Sequence, residues 1–292
     1  MSAPPPILLW IRRDFRLSDH PALSAAVVSG RPIIPVFIRD SGVVALGAAP
    51  KWRLGLGLEN FSETLSGCGS ALVLRSGDAL TSLQALIKET GATAVYWTRL
   101  YDSAGIARDK TVKQSLKAQG IEARSFGGHL MFEPWDVETK TGGFYRVYSP
   151  MWRAVKDRNV ATPLLAPAQL QAPLSWPASE RLEAWAMGLA MARGAVVVRP
   201  YVRLGEMAAQ SRLAAFTDGA IASYVDQRNI PSVDGTSGLS ENLALGEISP
   251  HQCWHAGMRA HLEGAAGAET FLKELVWREF AYHLIYHTPH IA

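Results

Sequence analysis

Over the first 126 residues short apolar runs alternate with stretches of helical period, and beyond that point the strand signal stops. The runs are Ile7–Ile11, Ile33–Ile38, Ala71–Leu74, Ala94–Trp97 and Ile121–Phe126. Between them the spacing predicts helices over Ala22–Val28, Lys51–Leu65, Ala79–Glu89 and Ala104–Gln119. Strands that alternate with helices of this length cannot pair as hairpins. They form βαβ units, and right-handed crossovers then give an open, doubly wound α/β sheet of five parallel strands. Gly55 and Gly57 weaken the second helix, because glycine is a poor helix former.

From about Gly127 to Pro177 the pattern breaks down under Pro134, Pro150, Pro163, Pro167, Pro173 and Pro177, with one short helix expected near Ser149–Asp157. From Glu180 onward only helical spacing remains, over 180–192, 203–216, 240–246, 250–262 and 268–287. The expected organisation is therefore an α/β domain over 1–128, an interdomain linker over 129–179 and an all-α domain from 180 to 292.

The chain has 48% hydrophobic and 19% charged residues over 292 positions, which excludes a disordered tail protein. Two distant cysteines, Cys68 and Cys253, exclude a disulfide scaffold or a cysteine-rich zinc module and point to a reducing, cytoplasmic compartment. No apolar run approaches the roughly 18 residues of a membrane span, and the apolar Ile7–Trp10 is too short for a signal peptide. A net charge of +3 permits contact with nucleic acid without arguing for it.

Four segments could carry chemistry. The turn Arg12-Arg13-Asp14-Phe15-Arg16 follows the first strand, where open α/β sheets bind ligands, although a salt-bridged turn reads equally well. It is not Gly-x-Gly-x-x-Gly, so an ordinary dinucleotide enzyme is disfavoured. Thr236-Ser237-Gly238-Leu239-Ser240 sets three hydroxyls just before a helical run. Hydroxyls and free N–H groups there suit a phosphate, or simply cap the helix. In the last long helix Glu274, Trp277, Arg278 and Ala281 share one face. The tryptophan could stack on a planar base between the two charges, or be a core tryptophan beside a surface Glu274–Arg278 pair. His283 and His287 lie four apart, but without a His-Glu-x-x-His pattern or a nearby cysteine no metal is assigned.

In order and spacing these segments resemble the DNA photolyase/cryptochrome family, and most closely its class I cyclobutane pyrimidine dimer photolyases. The match is carried by Trp10–Leu17 with Asp19–Leu23, by Phe132-Glu133-Pro134-Trp135, by Thr236–Ser240 with Gly246-Glu247-Ile248-Ser249-Pro250, and by Glu274–Phe280. The resemblance implies an FAD-binding helical domain. It also implies light-driven repair of pyrimidine dimers in DNA by electron transfer from excited reduced FAD, with the cofactor carrying the chemistry. A cryptochrome-like blue-light receptor with the same fold and no repair is the alternative.

The resemblance further implies that Tyr224, Thr236, Ser237, Leu239, Ser240, Trp277 and Arg278 contact the flavin, and that Glu274 and Trp277 hold the lesion. Arg228 would face the DNA backbone. Asp102 would fall where folate-type members hold an antenna, methenyltetrahydrofolate, with deazaflavin, a flavin or an empty pocket as the alternatives. A monomer acting on damaged DNA, away from membranes, is expected. Two departures stand out. Gly238 occupies a position where the family commonly has arginine, and the sequence stops twelve residues after Phe280, where the family continues through more helix. A second piece carrying the rest of the helical domain is therefore expected.

Overall fold

The computed structural model describes residues 4–291, and in it the first part of the chain forms five parallel strands in the order β3-β2-β1-β4-β5. In chain order the elements are β1 (Ile7–Ile11), α1 (Pro21–Val28), β2 (Ile33–Arg39), α2 (Ser41–Val44), α3 (Ala48–Gly67), β3 (Val73–Ser76), α4 (Ala79–Thr90), β4 (Ala94–Thr98), α5 (Ser103–Ala118) and β5 (Glu122–Phe126). The central strands are buried on both faces, which is why β1 and β4 read as unbroken apolar runs. One face packs Leu9, Ile11 and Phe37 against Leu54, Leu58 and Phe61 of α3. The other packs Trp10, Val36 and Val95 against Leu83, Leu86 and Leu116.

The helix α3 runs unbroken through both glycines. A Cβ on Gly55 would come within 2.8 Å of Met187, and one on Gly57 within 3.1 Å of Phe15 and Leu245. Close approach of neighbouring segments, rather than helix propensity, accounts for glycine at both sites. The edge strand β3 is covered by the chain at Ser179 and Glu180. Glu180 N–H donates to the Leu74 carbonyl (3.0 Å), and the Glu180 carboxylate accepts from Ser76 N–H and Oγ, both at 2.7 Å. An unpaired edge is thereby closed to other chains.

Beyond the linker helix α6 (Tyr148–Val155) the expected helix over 180–192 is absent. Two separate 3-10 turns, Leu182–Trp185 and Leu189–Met191, stand there instead, broken by Ala186 and Ala192 at positive φ. Trp185 is the reason. Its ring packs 6.1 Å from Phe37, its indole N–H donates to Glu180 (2.6 Å), and it lies with Met187 in the sheet core. This stretch therefore packs as part of the α/β layer rather than opening the helical part. The remaining elements are α7 (Arg193–Val198), α8 (Gly205–Asp218), α9 (Tyr224–Gln227), α10 (Ser240–Leu245), α11 (Pro250–Leu262) and α12 (Ala268–His287). α8, α11 and α12 build a second core around Phe216, Trp254, Phe271, Leu275 and Phe280. No described helix is long and apolar enough to cross a membrane.

The two cores meet at the turn after β1. Phe15 N–H donates to the Leu245 carbonyl (3.2 Å), and the Leu17 and Ser18 N–H groups donate to Glu206 at 2.7 and 3.0 Å. Buried Arg16 donates to the carbonyls of Asp19 (2.8 Å), Gly128 (2.7 Å) and Gly246 (3.0 Å), tying three distant segments together. Gly246 has φ +66°, and a Cβ there would lie 2.1 Å from the Arg13 carbonyl oxygen. Only glycine lets the two backbones touch.

Candidate functional site

The crevice at the reversal of strand order lies between β1 and β4, and ion pairs fill the turn that the sequence offered as a ligand site. Arg12 grips Asp109 through both carboxylate oxygens (2.7 and 2.8 Å) and donates to the Thr98 carbonyl. Arg108 reaches Asp40 at 2.6 Å, and both guanidinium groups lie over the Trp10 ring. Burial alone would raise the Asp14 carboxyl. The His20 imidazole at 3.2 Å and the Arg12 N–H at 2.7 Å outweigh it and hold the group well below the usual carboxylate range. Of the two readings, the salt-bridged turn is the one formed. Asp102 caps α5, accepting from Gly105 N–H at 2.7 Å.

The helix α12 has the bounds its spacing predicted. Leu272, Leu275, Val276 and Phe280 are buried, and Glu274 and Trp277 lie on the opposite, partly exposed strip. Trp277 is 45% exposed and stacks on Tyr148, with ring centroids 3.7 Å apart and planes within 6°. One face of the indole is thus covered and held flat by Tyr148, whose hydroxyl donates to the Lys273 carbonyl (2.8 Å). Burial, with a contribution from Glu274, pushes that hydroxyl up to about 12.

The surface pair Glu274–Arg278 is not formed. Glu274 pairs instead with Arg228, at the carboxyl end of α9. The Arg228 guanidinium lies 5.8 Å from the Tyr224 ring, which is buried against Phe216 and Phe271. Gly267 permits this arrangement, since a Cβ there would lie 2.1 Å from the Ile221 carbonyl oxygen and 2.7 Å from Tyr224 Cβ. Arg278 turns away toward the linker, donating to the His129 carbonyl (2.9 Å) and covering Tyr282 at 4.9 Å. The structure thus brings Tyr224, Arg228, Glu274 and Trp277 toward one surface and leaves Arg278 on another flank.

In the 236–240 turn Leu239 is buried, while Thr236 and Ser240 are exposed. The N-cap of α10 is Leu239, and no side chain caps it. The simple capping reading therefore fails. The side-chain hydroxyls of Thr236, Ser237 and Ser240 make no hydrogen bond among the described residues, so they remain available as donors. Gly238 has φ +59°, and Arg212 fills the space beside it, donating to the Gly238 carbonyl (2.6 Å) and to Glu241 (2.9 Å). The free hydroxyls suit an anionic phosphate group as donors, while the Arg212 charge beside them is paired with Glu241.

Sequence reasoning missed Tyr148, Arg212 and Glu279. Only Glu279 left a signal, since it lies on the stripe of Leu272, Val276 and His283. It is 2% exposed and accepts from Met131 and Phe132 N–H at 2.8 and 3.2 Å. Burial outweighs these donors and Arg278, and raises its carboxyl to about 7. His283 accepts from Tyr145 N–H (3.1 Å), while His287 donates to the Pro134 carbonyl (3.1 Å) and stacks on Phe144 at 4.8 Å. A cleft of about 670 Å³ between α8 and α11, lined by Gln210, Gln252, His255 and Arg259, includes Ile248 of the Gly246–Pro250 segment but none of the residues assigned to flavin, lesion or DNA.

The family model described as DNA photolyase matches residues 7–171. A deoxyribodipyrimidine photo-lyase of Agrobacterium fabrum is 44% identical over 98% of this chain and 60% of its own length. The crystal structure of a bacterial class III photolyase from Agrobacterium tumefaciens superposes with a TM-score of 0.95 at 43% identity, over all of this chain and 61% of that one. Cryptochrome-2 of Arabidopsis thaliana is 28% identical over 97% of this chain and 49% of its own length. A Synechocystis cryptochrome shares the fold, with a TM-score of 0.81 at 22% identity over 98% of this chain and 62% of that one. The chain belongs to the DNA photolyase family, and it spans about 60% of the length of these photolyases.

Proposed function

We propose that this protein is a flavin-dependent photolyase that repairs pyrimidine dimers in DNA. The observation that carries the reading is the half-exposed Glu274–Trp277 strip of α12, with a carboxylate and a flat, pre-oriented indole side by side. An aromatic surface offers stacking to a base rotated out of the duplex, and a carboxylate accepts hydrogen bonds from its polar edge. Arg228 at the margin suits a backbone phosphate.

Thr236, Ser237, Ser240 and the backbone at Leu239 would hold the FAD phosphates, with Tyr224 and Trp277 closing the pocket and Arg278 at its flank. When bound, reduced FAD supplies the light-driven electron that splits the dimer. This chain's residues position the lesion, keep it stacked and neutralise phosphate charge. Asp102 is assigned to an antenna folate only by position, since its carboxylate already caps α5. The 43% likeness to a class III photolyase favours that class over the class I expected from sequence. A monomer in the cytoplasm is part of the same reading, and the unpaired Cys68 and Cys253 fit a reducing compartment.

The test is illumination of the full-length protein with an oligonucleotide carrying one thymine dimer. Flavin absorbance and blue-light-dependent loss of the dimer are expected, with a lower yield in Glu274→Gln. Bound flavin without repair would favour the cryptochrome-like receptor. Absence of flavin would end both readings.

A further inference from the structure

Glu274 and Arg228, the two charges assigned to lesion and DNA backbone, hold each other in the free protein. They come from different elements, α12 and the end of α9, and are 37% and 31% exposed. Apart from the pair, the Arg228 guanidinium lies 5.8 Å from the Tyr224 ring. The Arg228 backbone N–H already bonds the Tyr224 carbonyl (3.1 Å), and Glu274 lies on the open strip of its helix. Lys273, the neighbouring cation, is engaged with Glu269 at 3.2 Å.

We infer that this ion pair is a latch that sets the preference for damaged over undamaged DNA, a role that rests on the function proposed above. Arg228 cannot give its full charge to a phosphate while it neutralises Glu274. On undamaged duplex no base reaches Glu274, so opening the pair would strand the carboxylate beside the DNA. A base flipped onto Trp277 offers Glu274 new hydrogen-bond donors and frees Arg228 for the backbone. The latch then opens at little cost only where a lesion is present. Arg228 thereby acts as a specificity residue working through Glu274.

The test measures dark binding of the full-length protein to undamaged duplex DNA by fluorescence anisotropy across a salt series. Six proteins are compared: wild type, Glu274→Gln, Arg228→Gln, Arg228→Lys and the two double variants that add Glu274→Gln to each Arg228 change. Releasing Arg228 by Glu274→Gln should tighten binding about 1.5- to 5-fold, the range set by an exposed ion pair. It should also steepen the slope of log K against log salt by about 0.9, the signature of one added phosphate contact. In the Arg228→Gln background the same change should leave the slope unaltered, because no cation is released. Arg228→Lys, which keeps the charge, should restore the wild-type response to Glu274→Gln.

Equal slope changes in both backgrounds, or none in either, would overturn the latch while leaving the proposed function standing. A wild type that binds no DNA even at low salt would overturn both. Matching melting temperatures among the variants identify any change in slope as a binding effect.

Discussion

Replacing Glu279 by glutamine should convert a buried, pH-dependent cost into a constant. The carboxyl is 2% exposed, faces the Met131 and Phe132 N–H groups and has its value raised by burial from 4.5 to about 7. The folded chain therefore binds this proton more tightly than the unfolded chain does. Stability should fall as pH rises from about 4.5 to 7, and the full cost should be present above 7. At about 1.4 kcal/mol per pH unit the interval amounts to about 3 kcal/mol.

Glutamine keeps an oxygen for the two backbone donors but cannot titrate. The assay is urea unfolding of the wild type and Glu279→Gln between pH 4.5 and 8. The variant's stability relative to wild type should climb by about 3 kcal/mol across that range, whatever constant offset its amide introduces. Other titrating groups, His283 among them, are common to both proteins and cancel in the difference. Parallel pH profiles would refute the reasoning and place the proton of Glu279 outside this window.

Two further outcomes follow from neighbouring features. His283 has its value lowered from 6.5 to about 4, chiefly by burial, so the folded state resists its protonation. Its contribution is present above pH 6.5 and is lost as pH falls toward 4, and His283→Gln should flatten that acid limb in the same unfolding series. Gly246→Ala would drive a methyl into the Arg13 carbonyl at 2.1 Å with φ held at +66°. The two cores must then separate locally, at a cost of about 2 kcal/mol or more, readable as a lower melting temperature. An unchanged melting temperature would show that the turn after β1 does not join the two parts as described.

The features legible in the sequence were those set by local period and by short motifs. The β1 and α12 boundaries are legible residue for residue, because an unbroken apolar run and a long stripe of helical spacing each leave one interpretation. The same arithmetic places Glu274 and Trp277 on one helix face. The segment 180–192 misled that arithmetic. Its apolar residues answer to Phe37 and α3, more than 100 residues earlier, and not to one another.

Partnership was the other quantity hidden from the sequence. Arg278 four residues after Glu274 reads as an ion pair, yet Arg228 takes the carboxylate and Arg278 takes the His129 carbonyl. The Arg12–Arg16 turn reads equally as a ligand site or a salt-bridged turn, until Asp109, Gly128 and Gly246 arrive from elsewhere in the chain. Local spacing determines which residues share a face, because backbone geometry repeats every few residues. Which charge meets which carboxylate, and which carboxyl is buried deeply enough to keep its proton near neutral pH, depends on desolvation and contacts between distant segments. Only the tertiary structure decides those.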